Sequence, residues 1–130
     1  EAEPLYVQAL AIRQRLFKGD HPDVANSLHN LAAVCQSLKR DVEARPLLDE
    51  ALAMLRRMEP NGSMLQARVL WRLGRLDQAE NNIDGALERY VQAVAMGERH
   101  LTAEHPRLKE YRDALAKCKQ AAAEKGKPAG

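Results

Sequence analysis

Residues 43–54, EARPLLDEALAM, restate the opening of the chain. Residues 1–12 read EAEPLYVQALAI, identical at seven of twelve positions at a shift of 42. A looser copy, GALERYVQAVAM over 85–96, follows a further 42 on and matches the opening copy at six of twelve. A fixed period of this size signals stacked supersecondary units that cannot bury their apolar faces alone.

The segments around the copies carry helical patterning and no strand signal. Leu5, Ala9, Ile12 and Leu16 form one apolar stripe for a helix over about 1–17, with Pro4 near its first turn, where a missing N–H costs least. Gly19-Asp20-His21-Pro22 ends it, with Gly19 a left-handed cap candidate. A second helix, about 23–38, carries Ala25, Leu28, Leu31, Ala32 and Cys35, with Asp23 or Asp20 at its start. Lys39-Arg40-Asp41 is a polar break, and Asp41 is the expected cap of a third helix, about 42–58, built on Ala44, Leu47, Leu48, Ala51, Leu52 and Leu55. Glu59-Pro60-Asn61-Gly62-Ser63 is the clearest turn, and Ser63 should cap a fourth helix over about 64–80. Asn81-Asn82 breaks that helix, and a fifth spans about 83–101. Thr102-Ala103-Glu104-His105-Pro106 copies the earlier His-Pro turn at a shift of 84, which gives His21 and His105 a turn role. The sixth helix, about 107–123, has one narrow stripe of Leu108, Tyr111, Leu115 and Cys118, as suits the end of a stack. The residues after it, with Gly126, Pro128 and Gly130, should fray.

Composition closes off several function classes. A net charge of +2 is too small to argue for nucleic acid or a membrane surface. No apolar run approaches the roughly 18 residues that span a bilayer. Cys35 and Cys118 read as two thiols in a reducing, cytoplasmic setting. No histidine pair has the spacing of a metal site, no glycine-rich phosphate loop is present, and no nucleophile sits in a motif. The expectation is therefore a non-enzyme with no cofactor and no metal. Because the chain opens inside a repeat and without Met, it reads as a piece of a longer protein.

Placed on the helix pairs, these residues resemble the tetratricopeptide repeat. Leu28, Leu31, Ala32, Cys35, Ala44, Leu48 and Ala51 follow its large-small-large pattern, and Leu70, Leu73, Gly74, Ala86, Tyr90 and Ala93 do so in the next unit. The small residues stand where helices cross and allow close approach. The 42-residue period, longer than the usual length of about 34, is similar to the repeats of kinesin light chains and nephrocystin-type proteins, as are the segments HPDVANSLHNLA and EARPLLDEALAM. The resemblance implies an all-α, right-handed solenoid of about six antiparallel helices. Its units would be a half-repeat at 1–19, repeats at 20–60 and 61–103, a capping helix at 104–123 and a frayed tail at 124–130. Two positions depart from the pattern. Asp77 stands where a large apolar residue is usual, which implies a locally adjusted helix, and Lys109 and Arg112 replace the equivalents of Ala25 and Leu28, which fits a cap.

The family's concave groove is lined by the first helix of each pair. By position, that implies Asn26, His29, Ala33, Gln36 and Ser37, then Arg68, Trp71, Arg75 and Gln78, then Glu110, Asp113 and Lys117. Asn30 joins them, because kinesin-light-chain-like repeats carry an Asn there that can bond an extended backbone through both donor and acceptor. His29 and Ala33 stand where a carboxylate clamp would need Lys and Asn, so no intact clamp is expected. The segment QARVLWRLGR over 66–75 sets Arg68, Arg72 and Arg75 around Trp71, able to stack and to pair acids. The competing reading has Trp71 in the core and the arginines on a solvated face. The expected function is binding of a protein or peptide partner, acidic in character, in the groove. The alternative is a structural spacer or a self-association segment, with helix 1–17 leaving Leu5, Ala9 and Ile12 partly uncovered. Nucleic acid and membrane are not expected partners.

Overall fold

A computed structural model describes residues 4, 7, 8, 10–12 and 20–125. Pro4, Val7, Gln8 and residues 10–12 are helical, and Leu5, Ala9, Leu16 and Gly19 lie outside the described residues. Five further helices follow: α1 (Pro22–Ser37), α2 (Asp41–Met58), α3 (Met64–Ala79), α4 (Ile83–His100) and α5 (Pro106–Lys125). No strand occurs among the described residues. α1 packs on α2, α3 on α4 and α4 on α5, while α2 meets α3 and α1 touches α3. The result is the right-handed all-α solenoid of antiparallel pairs that the repeat implies.

Local chemistry sets each boundary. At the start of α1 the ring of His21 accepts from Asp23 N at 3.0 Å, with Pro22 in the first turn. The His-Pro turn is thus a helix cap, and His105 repeats it on Arg107 N at 3.1 Å. Neither Asp23 nor Asp20 caps α1; Asp23 is a first-turn acid. Lys39, at φ 61°, ends α1 in the left-handed region. The expected Asp41 cap is corrected: Arg40 holds the cap position of α2, its side chain makes no capping hydrogen bond, and Asp41 is the first helical residue. Pro46 lies inside α2, beyond the first turn that suits a proline. Ser63 Oγ accepts from Gln66 N at 3.1 Å, as its position implied. Asn81, at φ 62°, terminates α3, and Asn82 Oδ1 accepts from Gly85 N at 3.1 Å to start α4.

The core follows the repeat. Ala25, Ala32, Ala44, Ala51, Ala67 and Ala93 are fully buried in one cluster with Leu28, Leu48, Leu70 and Leu73, and Ala86 is fully buried in a second with Ile83, Tyr90 and Cys118. At Gly74 a Cβ would stand 2.6 Å from the Tyr90 ring, so only glycine permits this crossing. Leu10 enters the core at 8% exposure, whereas Ile12, placed on the same stripe as Leu5 and Ala9, is 48% exposed. Lys109 and Arg112 face solvent on α5, and Leu108, Tyr111 and Cys118 are its buried edge.

Asp77 is buried without any break in its helix, which runs on to Ala79. The expected helix adjustment is therefore corrected. Arg45 Nη2 of α2 reaches across to Asp77 Oδ1 at 2.8 Å and to Glu80 Oε2 at 3.1 Å. A paired carboxylate stands where the pattern has an apolar side chain, and the charge is met by a bond rather than by backbone change.

Candidate functional site

The 42-residue period aligns α1, α3 and α5 in register, so equivalent positions form columns across one face. Asn26, Arg68 and Glu110 make one column; His29, Trp71 and Asp113 the next; Asn30, Arg72 and Ala114 a third; and Ala33, Arg75 and Lys117 a fourth. Two cavities open on this face on either side of Trp71. The larger, about 320 Å³, is lined by Trp71, Arg75, Gln78, Tyr90, Glu110, Asp113, Ala114 and Lys117. The smaller, about 150 Å³, is lined by His29, Arg68, Trp71, Arg72, Arg107, Glu110 and Tyr111.

Trp71 answers the core-or-groove question both ways. It is half-buried, packs partly against both core clusters and lines both cavities. Its ring centroid lies 5.9 Å from that of Tyr111 at 41°. The guanidinium carbons of Arg75 and Arg72 stand 5.0 and 5.5 Å from the Trp71 centroid, within cation–π range. Tyr90 closes the floor of the larger cavity and donates to Gln78 Oε1 at 2.7 Å. Burial pushes its phenol up to about 12.

Of the residues placed in the groove by position, Arg68, Trp71, Arg75, Gln78, Glu110, Asp113 and Lys117 line these cavities. Asn26, Asn30 and Ala33 are half-buried on α1 and line neither. His29 reaches the smaller cavity but is only 1% exposed. Its Nε2 accepts from Arg72 Nε at 3.0 Å, and Asn30 Oδ1 lies 3.4 Å from its Nδ1. Burial, then the charges of Arg72 and Arg68, depress its pKa to about 4, so the imidazole is neutral near pH 7. Gln36 holds Arg72 as well, accepting from Nη1 at 3.1 Å. Ser37 turns back to its own helix and donates to Val34 O at 2.8 Å.

Arg72, Arg107 and Tyr111 belong to the site although they were not among the residues assigned to it by position. Arg72 carried a signal, since it stands 42 residues after Asn30. Arg107 carried none, because its equivalent two units earlier, Asp23, is an acid in the first turn of α1. The arginines perturb one another. Burial, then Arg75 and Arg68, lower the pKa of Arg72, and burial, then Arg107, lower that of Arg68. The face can thus hold an anion on one side of an indole and a mixed-charge group on the other.

No group of side chains fit to hold a metal ion occurs among the described residues, and no described helix is long and apolar enough to cross a membrane. The tetratricopeptide repeat family model matches residues 1–57. A Podosopora anserina protein described as a kinesin light chain with nearly identical TPR-like repeats superposes with a TM-score of 0.83 at 28% identity, over 94% of this chain and 58% of its own. BtubC (BKLC) from P. vanneervenii shares the fold at a TM-score of 0.82 and 24% identity, over 94% of this chain and 49% of its own. A clustered mitochondria protein homolog from Meyerozyma guilliermondii is 28% identical over 131 residues, 95% of this chain. The chain spans about 10% of that relative's length and roughly half of the two solved chains. Over residues 1–57 the chain is thus similar to the tetratricopeptide repeat family, and over 94% of its length it shares the fold of a solved chain with kinesin-light-chain-like repeats.

Proposed function

We propose that this chain binds a peptide segment of a partner protein along the face made by α1, α3 and α5, with Trp71 at the centre of the contact. The observation that carries the reading is the half-buried indole between two cavities, with guanidinium groups 5.0 and 5.5 Å from its centroid. Aromatic and arginine side chains on a concave surface are the residue types that dominate binding energy at interfaces. The partner segment is acidic where it meets Arg68, Arg72 and Arg107, and basic or polar where it passes Glu110 and Asp113. Asn26 and Asn30 supply backbone hydrogen bonds at the edge of the contact. The reading includes no catalytic step and no cofactor, and places the module in the cytoplasm, which suits the buried free thiols of Cys35 and Cys118.

A second reading, self-association through the first helix, draws on Val7 and Ile12, which are 47% and 48% exposed. Concentration-dependent sedimentation separates the two. A dimer lost on Ile12→Glu supports assembly, and a monomer at all concentrations removes it.

The test of groove binding is a nuclease-treated pull-down from source-cell lysate with the wild-type chain and a folded Arg68→Glu/Trp71→Ala/Arg75→Glu variant. A partner kept by the wild type and lost from the variant is the expected result. Identical capture by both baits, or capture of nothing but copies of the parent protein, overturns it.

A further inference from the structure

Four arginines of this array are ion-paired among the described residues, while Arg56, Arg75, Arg89 and Arg99, outside the smaller cavity, are not. Arg40 pairs with Glu43, Arg45 with Asp77 and Glu80, Arg57 with Asp20, and Arg112 with Glu98. Arg68, Arg72 and Arg107, which wall the smaller cavity, form no ion pair among the described residues. Arg72 uses Nε on His29 and Nη1 on Gln36, which fixes the guanidinium plane and leaves Nη2 uncommitted. Arg68 and Arg107 make no side-chain hydrogen bond among the described residues, so their full donor forks stand ready.

The charge on the cavity is lopsided. Glu110 is the one carboxylate in its wall, and it makes no ion pair with the three arginines. His29 does not add charge near pH 7, since its ring is held neutral by burial and by Arg72. Two positive charges therefore remain unmatched in a cavity of about 150 Å³. That space is too small for a length of peptide backbone and suits a single head group. A carboxylate would cancel one of the two charges. A phosphate monoester carries about −1.5 to −2 at pH 7 and offers three strong acceptor oxygens to convergent guanidinium groups.

Resting on the peptide-groove reading above, we propose that the cavity walled by Arg68, Arg72 and Arg107 is a phosphoryl site, which takes a phosphorylated side chain of the bound segment in preference to an aspartate or glutamate. His29 and Gln36 act as positioning residues: they orient Arg72, and His29, being neutral, does so without adding to the repulsion. Trp71 forms the shared wall, so the segment continues past the indole into the larger cavity. Partner binding would then be switched on by phosphorylation of the partner rather than of this chain.

Three degenerate peptide libraries test this, identical except for a central phosphoserine, glutamate or serine. Each is titrated into the chain and followed by anisotropy of a peptide label and by emission of Trp71, the single tryptophan. Inorganic phosphate alone is titrated in parallel. The phosphoserine library is expected to bind roughly tenfold or more tightly than the glutamate library. Arg68→Gln and Arg107→Gln should each remove most of that advantage, whereas Arg56→Gln, on α2 and outside both cavities, should not. Both variants change partly solvent-facing side chains, and circular dichroism verifies that they fold. Equal binding of the phosphoserine and glutamate libraries, or a phosphoserine preference that survives both variants, overturns the phosphoryl site. If the glutamate library still outbinds the serine library, the acidic-peptide reading stands without it. Inorganic phosphate binding as tightly as the phosphoserine library also overturns the proposal, because the peptide then contributes nothing. Failure of all three libraries to bind overturns both readings together.

Discussion

Arg72 Nε lies 3.0 Å from His29 Nε2, so a cation on α3 donates to a buried imidazole on α1. The accepting Nε2 leaves the ring proton on Nδ1, facing Asn30 Oδ1 at 3.4 Å. This tautomer ties two successive repeats together and sets the direction of one arginine of the site.

The bond has a pH signature. The pKa of His29 falls from 6.5 in the unfolded chain to about 4 in the fold. A folded-state value below the unfolded one means that the unfolded chain takes up the proton first as pH falls. His29 thus contributes nothing to pH dependence above about 6.5 and removes stability progressively between about 6.5 and 4. The full loss corresponds to about 3 kcal/mol. Urea melts at stepped pH should show this slope in the wild type and a flatter one in His29→Gln. Equal slopes contradict the neutral, buried ring.

The Arg45–Asp77 bond predicts strong non-additivity. Arg45→Met leaves the Asp77 carboxylate, 6% exposed, without its cation and should cost about 2–3 kcal/mol, below a fully enclosed pair because Arg45 is 27% exposed. The double variant Arg45→Met/Asp77→Leu restores the apolar pattern and should recover most of that loss. Denaturant midpoints of both variants check it, and additive effects would show that the two groups do not depend on each other.

Crossing points should resist enlargement. Gly74→Ala drives a methyl against Tyr90, whose hydroxyl is held by Gln78 at 2.7 Å. Ala51→Leu and Ala93→Leu insert bulk at fully buried positions. Each is expected to cost about 1–3 kcal/mol. Ala53→Leu, exposed on α2, is the matched control and should leave the melting temperature nearly unchanged. An unaltered midpoint in any of the three buried variants contradicts the packing.

Much of the fold was legible because the repeat dictates it. A 42-residue period fixed which residues are equivalent, Ser63 marked a helix start, and Asn81-Asn82 and the His-Pro turns marked breaks between helices; the capping bonds of Asn82, His21 and His105 come from the structure. The site was legible to the extent that it follows the columns: Arg68, Trp71 and Arg75 stand where the period puts them. What escaped depends on contacts between helices. Trp71 touches core and cavity at once, a matter of one helical step that periodicity does not resolve. Asp77 departs from the pattern, and the cation that explains it, Arg45, lies 32 residues earlier on another helix. His29 has a groove position but is sealed by Arg72, a partner 43 residues away.

Site-specific photo-cross-linking tests groove binding most directly. A photoreactive phenylalanine analogue is placed at Asp113, in the wall of the larger cavity, and separately at Val91, 50% exposed on α4 and outside both cavities. Each chain is irradiated in source-cell lysate. The account predicts a cross-linked partner segment from position 113 and none from position 91. Equal yields at both positions, or a product from 91 alone, would contradict it.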